Sequence, residues 1–135
     1  MSQIQIQIVN GMDLPNMDGL DKTDGYVKVT MGGTEVMKTK VINNNLNPVW
    51  NATATVKWDG INDLIFTVWD SDLFTRDDWI GQYILSKGHI RAGFKGTVPL
   101  NVGKKVKKGS ASTHPSIQIK VAPPDSGCCG GCSVM

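Results

Sequence analysis

The chain has little that would let it cross a membrane, assemble a disulfide framework or bind nucleic acid. No apolar stretch in its 135 residues approaches the roughly 20 that a spanning helix needs. No cysteine occurs before Cys128; the three present, Cys128, Cys129 and Cys132, crowd the end, and an odd, clustered set is no disulfide framework. The net charge of +2 is too small to suggest nucleic acid, and aromatic residues make up only 7%. Glutamate is nearly absent: Glu35 stands alone, and every other acid is Asp, the shorter carboxylate that favours loops. There are two histidines, His89 and His114, with no Ser/His/Asp or Cys/His arrangement at recognisable spacing and no phosphate loop, so an enzyme is not expected. Met1-Ser2-Gln3-Ile4 has no basic head or apolar run of a secretory signal, and Ser2 does not fit N-myristoylation. The expected location is the cytoplasm.

What is present is alternation. Gln3-Ile4-Gln5-Ile6-Gln7-Ile8 repeats polar then apolar, the signature of a strand with one wet and one buried face. The period returns in Ile117-Gln118-Ile119-Lys120-Val121. Between them, strands are expected near 26–31, 35–42, 51–58, 64–70, 79–85 and 96–100, separated by Gly32-Gly33, Asn43-Asn44-Asn45, Asn47-Pro48 and Asp59-Gly60. Eight short strands and no convincing helix predict an all-β chain, an eight-stranded antiparallel β-sandwich or barrel. Residues 1–122 form one domain in this reading. Residues 103–115, basic and then Gly/Ser-rich, read as a flexible loop, and 123–135 as a flexible Pro/Gly/Cys tail.

Two loops collect the carboxylates: Met17-Asp18-Gly19-Leu20-Asp21-Lys22-Thr23-Asp24, and Asp70-Ser71-Asp72-Leu73-Phe74-Thr75-Arg76-Asp77-Asp78. Crowding like charges is unfavourable. A calcium ion would relieve it, because this hard cation takes 6–8 oxygen ligands and tolerates irregular geometry. Solvated turn aspartates are the alternative for a lone Asp-x-Asp. An EF-hand is excluded for the second loop: counted from Asp70, Phe74 falls on a ligand position and Gly81 on the bidentate Glu.

Asp13-Leu14-Pro15, Met17-Asp18, Thr23-Asp24-Gly25-Tyr26-Val27-Lys28-Val29, Lys38-Thr39-Lys40, Asn45-Leu46-Asn47-Pro48-Val49-Trp50-Asn51, Val68-Trp69-Asp70-Ser71-Asp72 and Ile80-Gly81 follow in order. Over residues 4 to 121 the chain closely resembles the C2 domain, the calcium- and phospholipid-binding module of conventional protein kinase C and synaptotagmins. The resemblance implies a sandwich of the circularly permuted, type II-like topology that lacks an extra leading strand, with loops at one end holding two or three calcium ions. Carried over by position, it implies acidic metal ligands at Asp18, Asp24, Asp70, Asp72 and Asp78 and carbonyl ligands at Met17, Ser71 and Arg76. Asp21 and Asp77 match no ligand position and are expected to be solvated. Gly25 stands where the family usually has Pro, which loosens the loop.

Leu20, Leu73 and Phe74 fall at the loop tips, where apolar side chains suit insertion at a bilayer interface; folding back on the sandwich is the alternative. Trp79 and Ile80 are expected in the core. Lys28, Lys38 and Lys40 share parity on neighbouring strands, and in the family a similar lysine cluster binds phosphoinositide head groups; an ordinary solvated strand face is the alternative. Lys57 is expected to extend the patch, and Lys104, Lys105, Lys107 and Lys108 form a second basic cluster. The last four residues, Cys132-Ser133-Val134-Met135, fit the prenylation pattern with farnesyl favoured, and Cys128 and Cys129 are candidates for palmitoylation; an unmodified tail is the alternative. The function expected is calcium-dependent binding to anionic phospholipids (phosphatidylserine, phosphoinositides) by a monomeric membrane adaptor or calcium sensor. The competing reading is a protein-interaction module of the same fold.

Overall fold

The period of two in the first strand becomes a buried stripe. In the computed structural model, which describes residues 2–15, 22–72, 76–102 and 114–123, β1 (Ser2–Met12) turns Ile4, Ile6 and Ile8 inward. β1 lies between β4 (Val49–Trp58) and β9 (Ser116–Ala122), antiparallel to both, and β9 also carries β7 (Phe94–Pro99), which makes a four-stranded sheet. The second sheet has five strands in the order β3 (Thr34–Lys38), β2 (Gly25–Met31), β5 (Leu64–Asp70), β6 (Asp78–Leu85) and β8 (Asn101–Val102). The inner faces close on one core: Ile4, Ile6, Ile8, Val98, Ile117, Ile119 and Val121 from the first sheet meet Val27, Val29, Leu64, Phe66, Val68, Ile80 and Leu85 from the second. Each large apolar side chain buried in this way contributes about 1.5–3 kcal/mol.

The expected antiparallel sandwich is therefore present, with nine strands among the described residues rather than eight. The expected strand at 96–100 is β7, and the ninth strand, β8, lies just beyond those bounds. β7 ends at Pro99, which has no N–H to donate to a ladder, and the chain then crosses to the other sheet as β8 beside β6. Gly81 makes that crossing possible: a Cβ there would stand 2.7 Å from the Asn101 carbonyl oxygen. The helix α1 (Lys87–Ala92) was not expected. Ser86 caps it by accepting from the His89 N–H, Ile90 is its one buried residue, and Gly93 closes it at φ 86°. Among the described residues no helix is long and apolar enough to cross a membrane.

Candidate functional site

β5 carries its alternation one step too far for a core strand. Leu64, Phe66 and Val68 point inward, and the next residue in phase is Asp70, a carboxylate only 3% exposed. A charge in that position is costly unless something compensates it. Register then gathers more acid around it. Gly25 of β2 and Asp78 of β6 are the two cross-strand partners of Asp70, so the three stand abreast at one end of the sandwich. Asp24 precedes Gly25, and its N–H donates to the Asp70 carboxylate at 2.9 Å. The Ser71 N–H donates in turn to the Asp24 carbonyl at 2.8 Å. A neighbouring turn holds Asp24 from outside: the Asn44 N–H donates to its carboxylate at 2.6 Å, and the Asn44 side chain accepts from the Lys22 N–H at 2.9 Å.

Four of the five expected acidic ligands, Asp24, Asp70, Asp72 and Asp78, thus belong to one mouth. Ser71 stands in it, and Arg76 is exposed two residues before Asp78. Met17, Asp18, Leu20, Leu73 and Phe74 lie outside the described residues, as do Cys128, Cys129, Cys132 and the lysines at 104, 105, 107 and 108. Among the described residues no three carboxylates or other ligating side chains converge closely enough to hold a metal as they stand. The donor set still fits a hard cation. Every contributor is an oxygen, no thiolate or imidazole intervenes, and one amide bond does not exhaust the accepting capacity of a carboxylate.

Asp77 corrects an expectation. It is not a solvated bystander: one carboxylate oxygen accepts from the Tyr26 hydroxyl and the other from the Asp72 N–H at 3.0 Å. The Tyr26 bond and then the Asp72 amide hold its carboxyl below the usual carboxylate range. Burial first, and then the bond to Asp77, pushes the Tyr26 phenol far above its ordinary value, so it remains a donor.

A basic groove lies beside the mouth on the outer face of the five-stranded sheet. Lys28 and Lys38 are direct cross-strand partners, a like-charge pairing that costs stability. Aromatic rings offset the cost. The Lys38 ammonium lies 5.0 Å from the Tyr26 ring centre, and that of Lys28 lies 6.0 Å from Tyr26 and 5.6 Å from Trp69. Glu35 approaches Lys28 at 3.9 Å, a half-exposed pair of little energetic weight. Thr39, bonded to Val27 through both its N–H and its hydroxyl, carries the chain on to the exposed Lys40.

Two expectations about this face are corrected. Lys57 does not extend the groove: it sits in the other sheet, exposed opposite Gln3. Ile80 is fully buried as expected, but Trp79 is only partly buried and outside the core cluster. A register shift between Val68 and Trp69 pairs Trp79 with Trp69 and so turns it to the outer face. Tyr26 and Trp69 were missed as groove residues; the available signal was their parity with Lys28 and Thr67 on adjacent strands. Among the described residues the Trp69 indole N–H is a buried donor without an acceptor.

Comparison with known proteins agrees with this fold. A family model described as the C2 domain matches residues 2–102. Synaptotagmin-5 of Arabidopsis thaliana is 35% identical over 109 residues, which are 77% of this chain and 19% of that protein. Protein C2-DOMAIN ABA-RELATED 4 of the same plant is 38% identical over 79 residues, 58% of this chain and 44% of that protein. The chain thus spans less than half the length of these curated relatives. The first C2 domain of a plant Extended Synaptotagmin 1 superposes with a TM-score of 0.74 at 19% identity, covering 91% of this chain and 95% of that one. A calcium-bound structure of two C2 domains of Extended-Synaptotagmin 2 gives 0.71 at 19% identity, covering 90% and 45%. At such identities the likeness is one of fold.

Proposed function

Because this chain belongs to the C2 domain family, we propose that it is a calcium-dependent, peripheral binder of anionic phospholipid membranes, an adaptor or calcium sensor and not an enzyme. The observation that carries the reading is the register that sets Gly25, Asp70 and Asp78 abreast, with Asp24 bonded to Asp70 and Asp72 just beyond it. Asp24, Asp70, Asp72 and Asp78, joined by Asp18 and by the carbonyls of Met17, Ser71 and Arg76, hold two or three calcium ions. Bound calcium supplies the positive charge and open coordination positions that lipid phosphate oxygens need. The side chains do the rest: the carboxylates set the mouth's negative potential in the resting state, and Leu20, Leu73 and Phe74 enter the interface, where burial contributes about 25 cal/mol per Å².

Sedimentation with phosphatidylserine vesicles over a calcium titration tests the reading. Pelleting with calcium and release by chelator is the expected result. No binding in either condition would overturn it and favour a protein-interaction module.

Lys28, Lys38 and Lys40 select phosphoinositides in this reading. Each basic residue near an anionic surface contributes about 1 kcal/mol, so alanine at all three is expected to weaken binding to phosphoinositide vesicles by roughly 100-fold. Phosphatidylserine vesicles should lose far less; equal loss on both would reduce the groove to general electrostatics. The selective part should fade with salt, since exposed charges are screened over about 8 Å at physiological ionic strength.

The terminal Cys132-Ser133-Val134-Met135 supplies a second attachment. One lipid chain anchors only marginally, so a farnesyl on Cys132, with palmitoyl on Cys128 or Cys129, would make the protein a detector of two coincident signals. Cys132→Ser should then leave it cytosolic at resting calcium, with only a transient shift to membranes on a calcium rise. Mass spectrometry of the native C-terminal peptide decides: an unmodified end refutes the anchor.

A further inference from the structure

An edge strand leaves one side of its ladder unpaired, and among the described residues β4, β7, β3 and β8 are the edges of the two sheets. Three of them are guarded. β8 is two residues long, β3 is five and carries Glu35 and Lys38, and β7 has Lys95 near its start and ends on Pro99. β4 is different. It runs ten residues, Val49–Trp58, and among the described residues it pairs with β1 alone. Its one charge, Lys57, stands next to last, and Asn51 at φ 48° bends its start. Between them lie Ala52, Thr53, Ala54, Thr55 and Val56, uncharged, regularly paired to β1 on one side and open on the other. Thr53 and Thr55 are exposed on the outer face, and Ala52 and Ala54 are only partly buried on the inner one.

We propose that this edge takes a second copy of the chain, β4 antiparallel to β4, and that the pair links two membranes. The stretch is its own complement. Turned about Ala54, it sets Thr53 of each copy opposite Thr55 of the other, a favourable cross-strand pair, and Ala52 opposite Val56 on the inner face. Lys57 then meets Asn51 and no other cation. Direction decides what the pair does. β4 starts at the mouth: the Trp50 indole N–H donates to the Gly25 carbonyl at 3.0 Å, and Gly25 is the partner of Asp70. An antiparallel second copy therefore carries its mouth at the opposite pole. Trp50 is four residues from Ala54, about 13 Å at about 3.3 Å per residue, so the two mouths stand at least roughly 26 Å apart and face away from each other. Copies on one bilayer point their β4 strands the same way and cannot pair in this manner, whereas copies on apposed bilayers can. Five residues a side fall well short of the roughly 1,200 Å² that stable complexes bury, so the chain stays monomeric in dilute solution and many weak links act together between surfaces. The inference rests on the reading above, that the mouth makes a calcium-dependent membrane contact.

The test uses the full chain and vesicles of phosphatidylcholine carrying phosphatidylserine. Pelleting with vesicles, and vesicle clustering by light scattering, are both followed as calcium is added and then chelated. The unaltered protein should pellet and should cluster the vesicles reversibly. Thr53→Lys together with Thr55→Lys sets lysine against lysine twice in the pair, so clustering should fall at least about 10-fold. Pelleting and the melting temperature should hold, because both side chains are exposed and neither belongs to the mouth. A monomer that bridged bilayers through its own lysines would instead cluster more with two further cations. Thr53→Glu together with Thr55→Lys keeps the net charge and sets each glutamate against the other copy's lysine, so clustering should return to at least the unaltered level. Undiminished clustering by the double-lysine variant overturns the strand pairing, as does failure of the glutamate–lysine variant to cluster, or an unaltered protein that pellets without clustering. Should the double-lysine variant not fold, Thr53→Glu with Thr55→Glu takes its place, with the same loss expected. An unaltered protein that does not pellet in calcium would overturn the membrane reading itself, and the linking of membranes with it.

Discussion

Asparagine at Asp70 and Asp72 together will abolish calcium-dependent vesicle binding and leave the sandwich folded. Both substitutions keep the shape of the side chain and a carbonyl oxygen, so the bond that Asp70 accepts from the Asp24 N–H at 2.9 Å survives in kind. What disappears is charge, two negative sites among the four described carboxylates of the mouth. Calcium affinity follows the number of charged ligands, and a buried carboxylate such as Asp70, 3% exposed, is poorly screened by water. The loss is visible without any membrane. Calcium at 100 times its dissociation constant stabilises a folded protein by about 2.7 kcal/mol, on the order of 10 °C for a domain of this size. That calcium-induced rise should vanish in the double variant. Its calcium-free melting temperature should lie at or above that of the unaltered chain, because removing clustered like charges relieves repulsion. Calorimetric calcium binding unchanged by the two substitutions would refute the assignment of these ligands.

The parts of this architecture that were legible in advance are those governed by local period. β1 and β9 alternate strictly and bury the isoleucines their pattern marks. Lys28 and Lys38 share parity and prove to be direct partners. Failures occurred where a residue's environment depends on something its own strand does not encode. The shift between Val68 and Trp69 reverses phase in β6, so Ile80 and Leu85, of opposite parity, are both buried while Trp79 faces outward. Lys57 has the composition of a groove residue, but its strand joins β1 and not β3, a choice of sheet made by tertiary packing. Six residues of α1 are too few to establish a helical period, although Ser86 and Gly93 mark its two ends. The expected strand at 35–42 stops regular pairing at Lys38; beyond it only the Thr39 bonds to Val27 and the bridge from Ile42 to Gly25 continue the edge. The mouth was legible as a motif, whereas the Tyr26–Asp77 bond was not, because it needs the register of three strands to bring those residues together.

Phe66→Ala will test whether the core and the mouth are energetically separate. Phe66 is fully buried at the centre of β5, flanked across the ladder by Val29 and Tyr83. Emptying such a site costs about 3–5 kcal/mol, through lost transfer energy and the cavity left behind. Against a total stability of about 5–15 kcal/mol this is a large fraction, and the melting temperature should fall on the order of 10 °C. Asp70 lies four residues along the same strand, roughly 13 Å away at about 3.3 Å per residue. Perturbations at that distance with no shared partner usually add. The stabilisation that calcium gives should therefore be the same in Phe66→Ala as in the unaltered chain, restoring much of the lost melting temperature, and vesicle binding well below the new midpoint should keep its calcium dependence. Thermal melts of both proteins with calcium and with chelator supply the four values needed. A calcium increment that shrinks in Phe66→Ala would show that β5 transmits core packing to Asp70, and that the mouth is shaped by the interior beneath it as well as by its own loops.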